Sequence, residues 1–280
     1  MNLCRTSGNE EEYKRIQQQG IPIVFFDRVP ESSEVTKVIV DDYVKSFFLV
    51  EHLIRTGRRR IVHLQGPDYI RNAMERKRAY ADALSKFNIP YEPALVISAG
   101  VSVEGGRQAV KRLQKEGISF DAVFAFTDTL AIGAMNYLQE QGVLIPEEVA
   151  VAGFSGTILS TIVHPPLTTV EQPLHRIGET AARLLIEKLD HPQTVARTVV
   201  LKAEIKIRQS TLGTLGISGD IKNRTILRPY DFIVKVFCFQ KLVSSIGIIA
   251  IAVITSVITS FRTRTCYSYT DDSSIVFRFV

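Results

Sequence analysis

A chain of 280 residues, 45% hydrophobic and 22% charged, holds enough apolar material for one large domain or two small ones at about 100–200 residues each. Such a composition excludes a generally disordered chain. The formal net charge of +5, from 34 Lys+Arg against 29 Asp+Glu, is mild, and a nucleic-acid surface would gather its basic residues on one face. The three cysteines, Cys4, Cys238 and Cys266, are odd in number and far apart, which excludes a disulfide framework and a zinc site. They fit a reducing compartment, the first twenty residues carry no apolar core of an export signal, and a cytoplasmic protein without metal or cofactor is expected.

From Ile21 to about Ser210, strand-like and helix-like segments alternate. Ile21–Phe26 is a short apolar run of the kind buried on both faces of a parallel sheet. A helix is predicted over Tyr43–Thr56, with Phe47, Val50, Leu53 and Ile54 on one face and Gly57 as its stop. Ile61–Leu64 reads as a strand, and Met74–Phe87 as a helix whose Ala79, Tyr80, Ala83, Leu84 and Phe87 recur at helical spacing. Ala94–Ile97 is the next strand. Val103–Glu116 is a helix entered from Ser102, a good N-cap, and closed by Gly117. A strand at Ala122–Phe126, a helix at Asp128–Gln141 closed by Gly142, and a strand at Val149–Phe154 follow. Pro173–Leu189 is a long amphipathic helix with Ile177, Ala181, Leu184 and Leu185 inward, and Thr198–Ile207 closes the series as an alternating strand. Repeated βα units of this length predict an α/β fold with mainly parallel sheet and helices on both faces. Ligands in such folds sit beyond the carboxyl ends of the strands, here Asp27-Arg28, Gly66–Asp68, Ser98–Ser102, Thr127-Asp128 and Ser155–Thr157.

After about Leu212 the pattern changes. Leu242–Phe261 is uncharged and flanked by Lys241 and Arg262. As a helix it would match one hydrocarbon core of roughly 30 Å. Its β-branched residues and six Ser/Thr make insertion marginal.

The residues then resemble a known family, the lactose-repressor/galactose-repressor transcription regulators. The resemblance is carried by IPIVFFDR at 21–28, VEHLIRTGRRRIVHLQGP at 50–67, ERKRAYADAL at 75–84, DAVFAFTDTLAIGAM at 121–135, IPEEVAVAGFS at 145–155 and HPPLTTVEQP at 164–173, all in family order. It covers about Ile21 to Thr211 and implies the effector-binding, periplasmic-binding-protein-like part of such a regulator, with two lobes of parallel sheet flanked by helices. By this resemblance residues 1–42 and 158–189 form a partial first lobe, 43–157 and 190–211 the second, and 212–280 a tail foreign to the family. The helix-turn-helix headpiece expected of the family has no counterpart, so the chain is read as N-terminally truncated. DNA would be reached through that headpiece and not through this chain alone. A homodimer is implied, with part of its surface on the Asp128–Gln141 helix.

The effector implied is a small carbohydrate or nucleoside. A sugar pocket needs planar polar groups for paired hydroxyls beside an apolar face. Carried over residue by residue, the resemblance points to Asp27, Asn72, Arg76, Val101, Thr127, Asp128 and Ser155. Asp27 ends a strand and accepts hydroxyl hydrogens, or pairs as a loop carboxylate with Arg28. Arg76 offers a fork for two adjacent oxygens or a carboxylate, and Asn72 lies one helical turn earlier on the same face. Val101 stands where some members place an aromatic lid. Thr127-Asp128 replaces an Asn-Asp pair, with N-capping as the other role for Asp128. Ser155 stands where many members have aspartate, so the ligand should differ from theirs. Arg58–Arg60 are read as cations at a helix end rather than as DNA contacts. Pro165–Val170 marks the crossover back to the first lobe. Catalysis is not expected, because Gly153-Phe154-Ser155-Gly156 lacks the glycine at 157 that a nucleophile elbow needs. The alternatives are an exported solute-binding protein and a membrane-tethered sensor using 242–261.

Overall fold

The computed structural model describes residues 9–29 and 34–212. The expectations for 212–280, including the apolar segment 242–261, fall almost wholly outside the described residues.

The elements follow the alternation in chain order. They are α1 (Asn9–Gln18), β1 (Val24–Phe26), β2 (Thr36–Val40), α2 (Asp42–Arg55), β3 (Ile61–Gln65), α3 (Arg71–Lys86), β4 (Val96–Ser98), α4 (Val103–Lys115), β5 (Ala122–Ala125), α5 (Asp128–Glu140), β6 (Ala150–Ser155), α6 (Leu159–Ile162), β7 (Thr168–Glu171), α7 (Leu174–Asp190), β8 (Thr198–Leu201) and β9 (Glu204–Lys206). They form two sheets. The first is ordered β1-β2-β8 and is wholly parallel. The second is ordered β4-β3-β5-β6-β7-β9, parallel except where β9 runs against β7.

Local chemistry sets most boundaries. Ser102 caps α4 by accepting from the Gly105 N–H at 3.0 Å, satisfying one of the free donors at a helix start. Gly57, Gly117 and Gly142 follow α2, α4 and α5 with φ of +97°, +69° and +78°, the left-handed conformation that ends helices. The tightest helix contact, α4 on α5, is possible because two glycines face each other's backbone. A Cβ on Gly106 would lie 2.0 Å from the Leu130 carbonyl oxygen, and one on Gly133 would lie 1.8 Å from that of Val103.

The basic run has structural employment. Arg59 donates to the Ile54 carbonyl at the end of α2 (2.8 Å), offsetting the helix dipole. Arg58 donates to carbonyls of Pro146 and Glu148, Arg60 pairs with Glu92 at 3.0 Å, and the Asp121 carboxylate accepts from the backbone of Arg59 and Arg60.

Three expectations are corrected. The segment Thr36–Val40, not predicted as a strand, is fully buried β2; its polar residues Thr36 and Lys37 hide the apolar run Val38–Val40 in the sequence. The crossover expected at Pro165–Val170 is instead β7, an inner strand of the second sheet between β6 and β9. It is held there by hydrogen bonds that need distant partners: the Thr168 N–H donates to Ser210 Oγ at 2.8 Å, and the Thr169 hydroxyl donates to Asp128 at 2.5 Å. The single closing strand expected at Thr198–Ile207 is two strands in different sheets. The break falls at Lys202-Ala203, where the Ala203 N–H donates to Asp41 Oδ1 (2.8 Å) and the Asp41 N–H donates to the Leu201 carbonyl (3.3 Å). The chain therefore passes between sheets at Asp41, at Gln172-Pro173 and at Lys202-Ala203. The first sheet carries α7 and β8, while β7 lies in the second.

Core residues follow the layers. Phe25, Ile39, Val29 and Val35 meet Tyr13 on one face of the first sheet. Val24, Val38 and Val40 on the other face join Ile177, Ala181 and Leu184 of α7, and this cluster continues into Leu49, Leu53, Ile61, Phe124 and Phe154 of the second sheet and α2. Val62, Leu64, Val123 and Val151 pack under α4 and α5.

Candidate functional site

At the carboxyl ends of the strands the two sheets meet around Arg76. This side chain, on α3, is 2% exposed, and a buried guanidinium must be paired and hydrogen-bonded. Its Nε and Nη2 both donate to Asp42 Oδ1, at 2.9 and 2.7 Å, and Nη1 donates to the Phe126 carbonyl at 2.6 Å. Its carbon lies 3.5 Å from the Phe154 ring centroid and 4.6 Å from that of Phe126, within cation–π range. Asp42 opens α2 directly after β2 and is 4% exposed. Burial pushes its carboxyl up from the ordinary range and the neighbouring Asp27 adds to this, while the charge and hydrogen bonds of Arg76 oppose it. Two guanidinium hydrogens on one carboxylate oxygen fit the ionised pair.

The other expected residues join this centre through short chains of contacts. Asn72 lies one turn before Arg76, is 5% exposed, and its Oδ1 has no hydrogen-bond partner. Phe126, which touches Arg76, leads into Thr127. Thr127 caps α5 by accepting from the Leu130 N–H at 3.4 Å and bonds the Thr129 hydroxyl at 2.9 Å. Thr129 in turn donates to the Val101 carbonyl at 3.0 Å, so Val101, 36% exposed, stands at the rim. Phe154 leads into Ser155, partly buried at the end of β6 with φ +138°. Asp27, partly buried at the end of β1, has φ +60°, and its N–H donates to the Val38 carbonyl at 3.2 Å.

Asp128 is placed differently. It is fully buried and does not cap the helix; Thr127 does. Its Oδ2 accepts from the Thr157 N–H (2.8 Å) and hydroxyl (3.2 Å), and its Oδ1 from the Thr169 hydroxyl (2.5 Å). Burial pushes its carboxyl up from the ordinary value and these bonds pull it back. Asp128 thus ties the 155–157 turn and β7 to the start of α5, beneath the site.

Sequence reasoning missed Asp42. Its signal was present, an acidic pair at 41–42 directly after the run Val38–Val40, and was unread because that run was not assigned as a strand. Asp42, Asn72 and Arg76 are all closed off. Two open grooves, one past Gln17, Thr36 and Lys188 and one past Gln65, Lys77 and Tyr91, include none of the three.

A family profile described as "Periplasmic binding protein-like domain" matches residues 50–211. Catabolite control protein A of Priestia megaterium is 29% identical over 208 residues, 73% of this chain and 63% of that protein. The HTH-type transcriptional regulator CelR of Thermobifida fusca is 31% identical over 198 residues, 70% of this chain and 58% of that protein. The chain therefore spans about three fifths of the length of these relatives. Among solved structures, a LacI family transcriptional regulator from Enterococcus faecium with bound ribose superposes with a TM-score of 0.66 at 26% identity, over 71% of this chain and 73% of that one. These matches bear out the resemblance first carried by six short motifs, and the chain belongs to the LacI-type transcriptional regulators through their periplasmic-binding-protein-like domain.

Proposed function

We propose that the chain is the effector-sensing part of a transcriptional repressor and binds a small carbohydrate-like molecule between its two sheets. The observation that carries this reading is the buried polar cluster at the strand ends: Arg76 held in place by Asp42, with Asn72 Oδ1 buried and unpartnered one helical turn away. A buried polar atom without a partner costs about 1–3 kcal/mol, and an effector hydroxyl arriving there would recover it. Asp27, Thr127 and Ser155 add hydroxyl and carboxylate groups around the centre, and Val101 its rim. The bound sugar of the Enterococcus faecium regulator supports the ligand class.

In the whole protein, effector binding would favour one arrangement of the sheets over another and shift DNA affinity through that difference. The three crossings at Asp41, Gln172-Pro173 and Lys202-Ala203 are the segments that would move. The protein would act in the cytoplasm as a dimer rather than as an enzyme. The exposed apolar side chains at α6, Ile158 at 74% and Ile162 at 69%, would be part of its contact, with neighbouring α5. The test is isothermal titration of the chain with a panel of pentoses, hexoses, disaccharides and nucleosides. Saturable binding to one class that Arg76→Ala abolishes is expected, and a panel without any binder would overturn the reading.

A further inference from the structure

The charge of the effector is written in the Arg76–Asp42 pair. Arginine at a sugar site can recognise a neutral diol or an anion, and the difference lies in whether its charge is free. Here both Nε and Nη2 lie on Asp42 Oδ1 and a third hydrogen goes to the Phe126 carbonyl, so the guanidinium enters any complex already neutralised. An incoming carboxylate or phosphate would lose its water here and find the Arg76 charge already paired with Asp42, so that guanidinium does not offset the desolvation. The partnerless atom beside Arg76, Asn72 Oδ1, is a neutral acceptor. A hydroxyl or N–H satisfies it, and an ionised carboxylate or phosphate has no hydrogen to give. Thr127 and Ser155 beside the ring pair are likewise neutral.

Resting on the effector-binding reading, we propose that this site selects an uncharged, hydroxyl-bearing effector over its anionic counterpart, and that Asp42 sets that selectivity by occupying Arg76. Asp42 is then a specificity-determining residue. Without it the same arginine would present its charge to a phosphate or carboxylate.

The experiment is isothermal titration of the full chain with matched pairs in which one member carries an anionic group: glucose and glucuronate, nearly equal in size, then ribose and ribose 5-phosphate, and adenosine and its 5′-monophosphate. The expected result is that the neutral member of one pair binds and the anionic member binds at least roughly tenfold more weakly. In Asp42→Asn the preference should narrow or reverse by about tenfold or more. An anionic member that binds the unaltered chain as tightly as its neutral partner overturns the selectivity proposal and leaves the effector reading standing. Absence of binding by every member overturns both. The comparison within the unaltered chain decides the matter even where Asp42→Asn does not fold.

Discussion

Replacing Asp128 by alanine removes the acceptor of three hydrogen bonds at once, those from the Thr157 N–H, the Thr157 hydroxyl and the Thr169 hydroxyl. The site is fully buried, so water does not substitute, and each donor left without a partner costs about 1–3 kcal/mol. The two hydroxyls can turn toward other acceptors, whereas the Thr157 N–H cannot. Relief of burying a charge offsets part of the loss. The net expectation is a destabilisation of about 3–5 kcal/mol, or a fall in Tm of roughly 6–20 °C at about 2–4 °C per kcal/mol for a domain of this size. Asp128→Asn separates geometry from charge, because its carbonyl can face Thr157 while its amide donates to Thr169 Oγ1; it should cost about 1 kcal/mol. The pH dependence has a definite sign. Burial raises the native pKa of Asp128 above the ordinary 3.8, so its contribution to stability is greatest with the carboxyl protonated and declines as pH rises through the native value. Asp128→Asn should therefore gain on the unaltered protein over that same rise. Thermal melts by circular dichroism between pH 3 and 7 read both effects. A fall in Tm below about 2 °C for Asp128→Ala would refute the view that this carboxylate ties the 155–157 turn and β7 to α5.

His63 is fully buried between the Tyr80 and Phe124 rings, at 5.3 and 4.9 Å between centroids, and burial lowers its pKa from 6.5 to about 4. The unfolded chain gains a proton that the native one refuses, so stability is lost as pH falls from 6.5 toward 4, on the order of 3 kcal/mol. In urea unfolding at a series of pH values, His63→Phe should lose less stability over this range than the unaltered protein; parallel pH curves would sink the assignment. Gly133→Ala should destabilise by more than about 2 kcal/mol by forcing α4 and α5 apart, against a helix-propensity gain of about 1 kcal/mol, and an unchanged urea midpoint would show that the contact is looser than described. Arg76→Met should cost about 3–5 kcal/mol by leaving Asp42 buried and unpaired, and Asp42→Asn in the same chain should recover much of that. Additive losses in this double-mutant cycle would contradict the pair.

The sequence by itself determined the βα alternation and most of the helix ends. Those features rest on local chemistry: apolar spacing in α2, α3 and α7, the Ser102 cap, and glycines 57, 117 and 142 with positive φ. The seven candidate residues were reached through the family resemblance; among them Asp27 and Ser155 lie at strand ends and Asn72 and Thr127 at helix starts. Asp128 was legible only as a helix start, and its partners Thr157 and Thr169 come from segments 29 and 41 residues away. Only the tertiary structure decided which sheet each late strand joins. Thr168–Glu171 and Thr198–Leu201 are both short and partly polar, and strand pairing is set by neighbours that lie far off in the chain. Asp42 follows the same logic. The acidic pair at 41–42 does not by itself name a partner; a guanidinium 34 positions later, brought against it by the packing of α2 and α3, makes Asp42 part of the site.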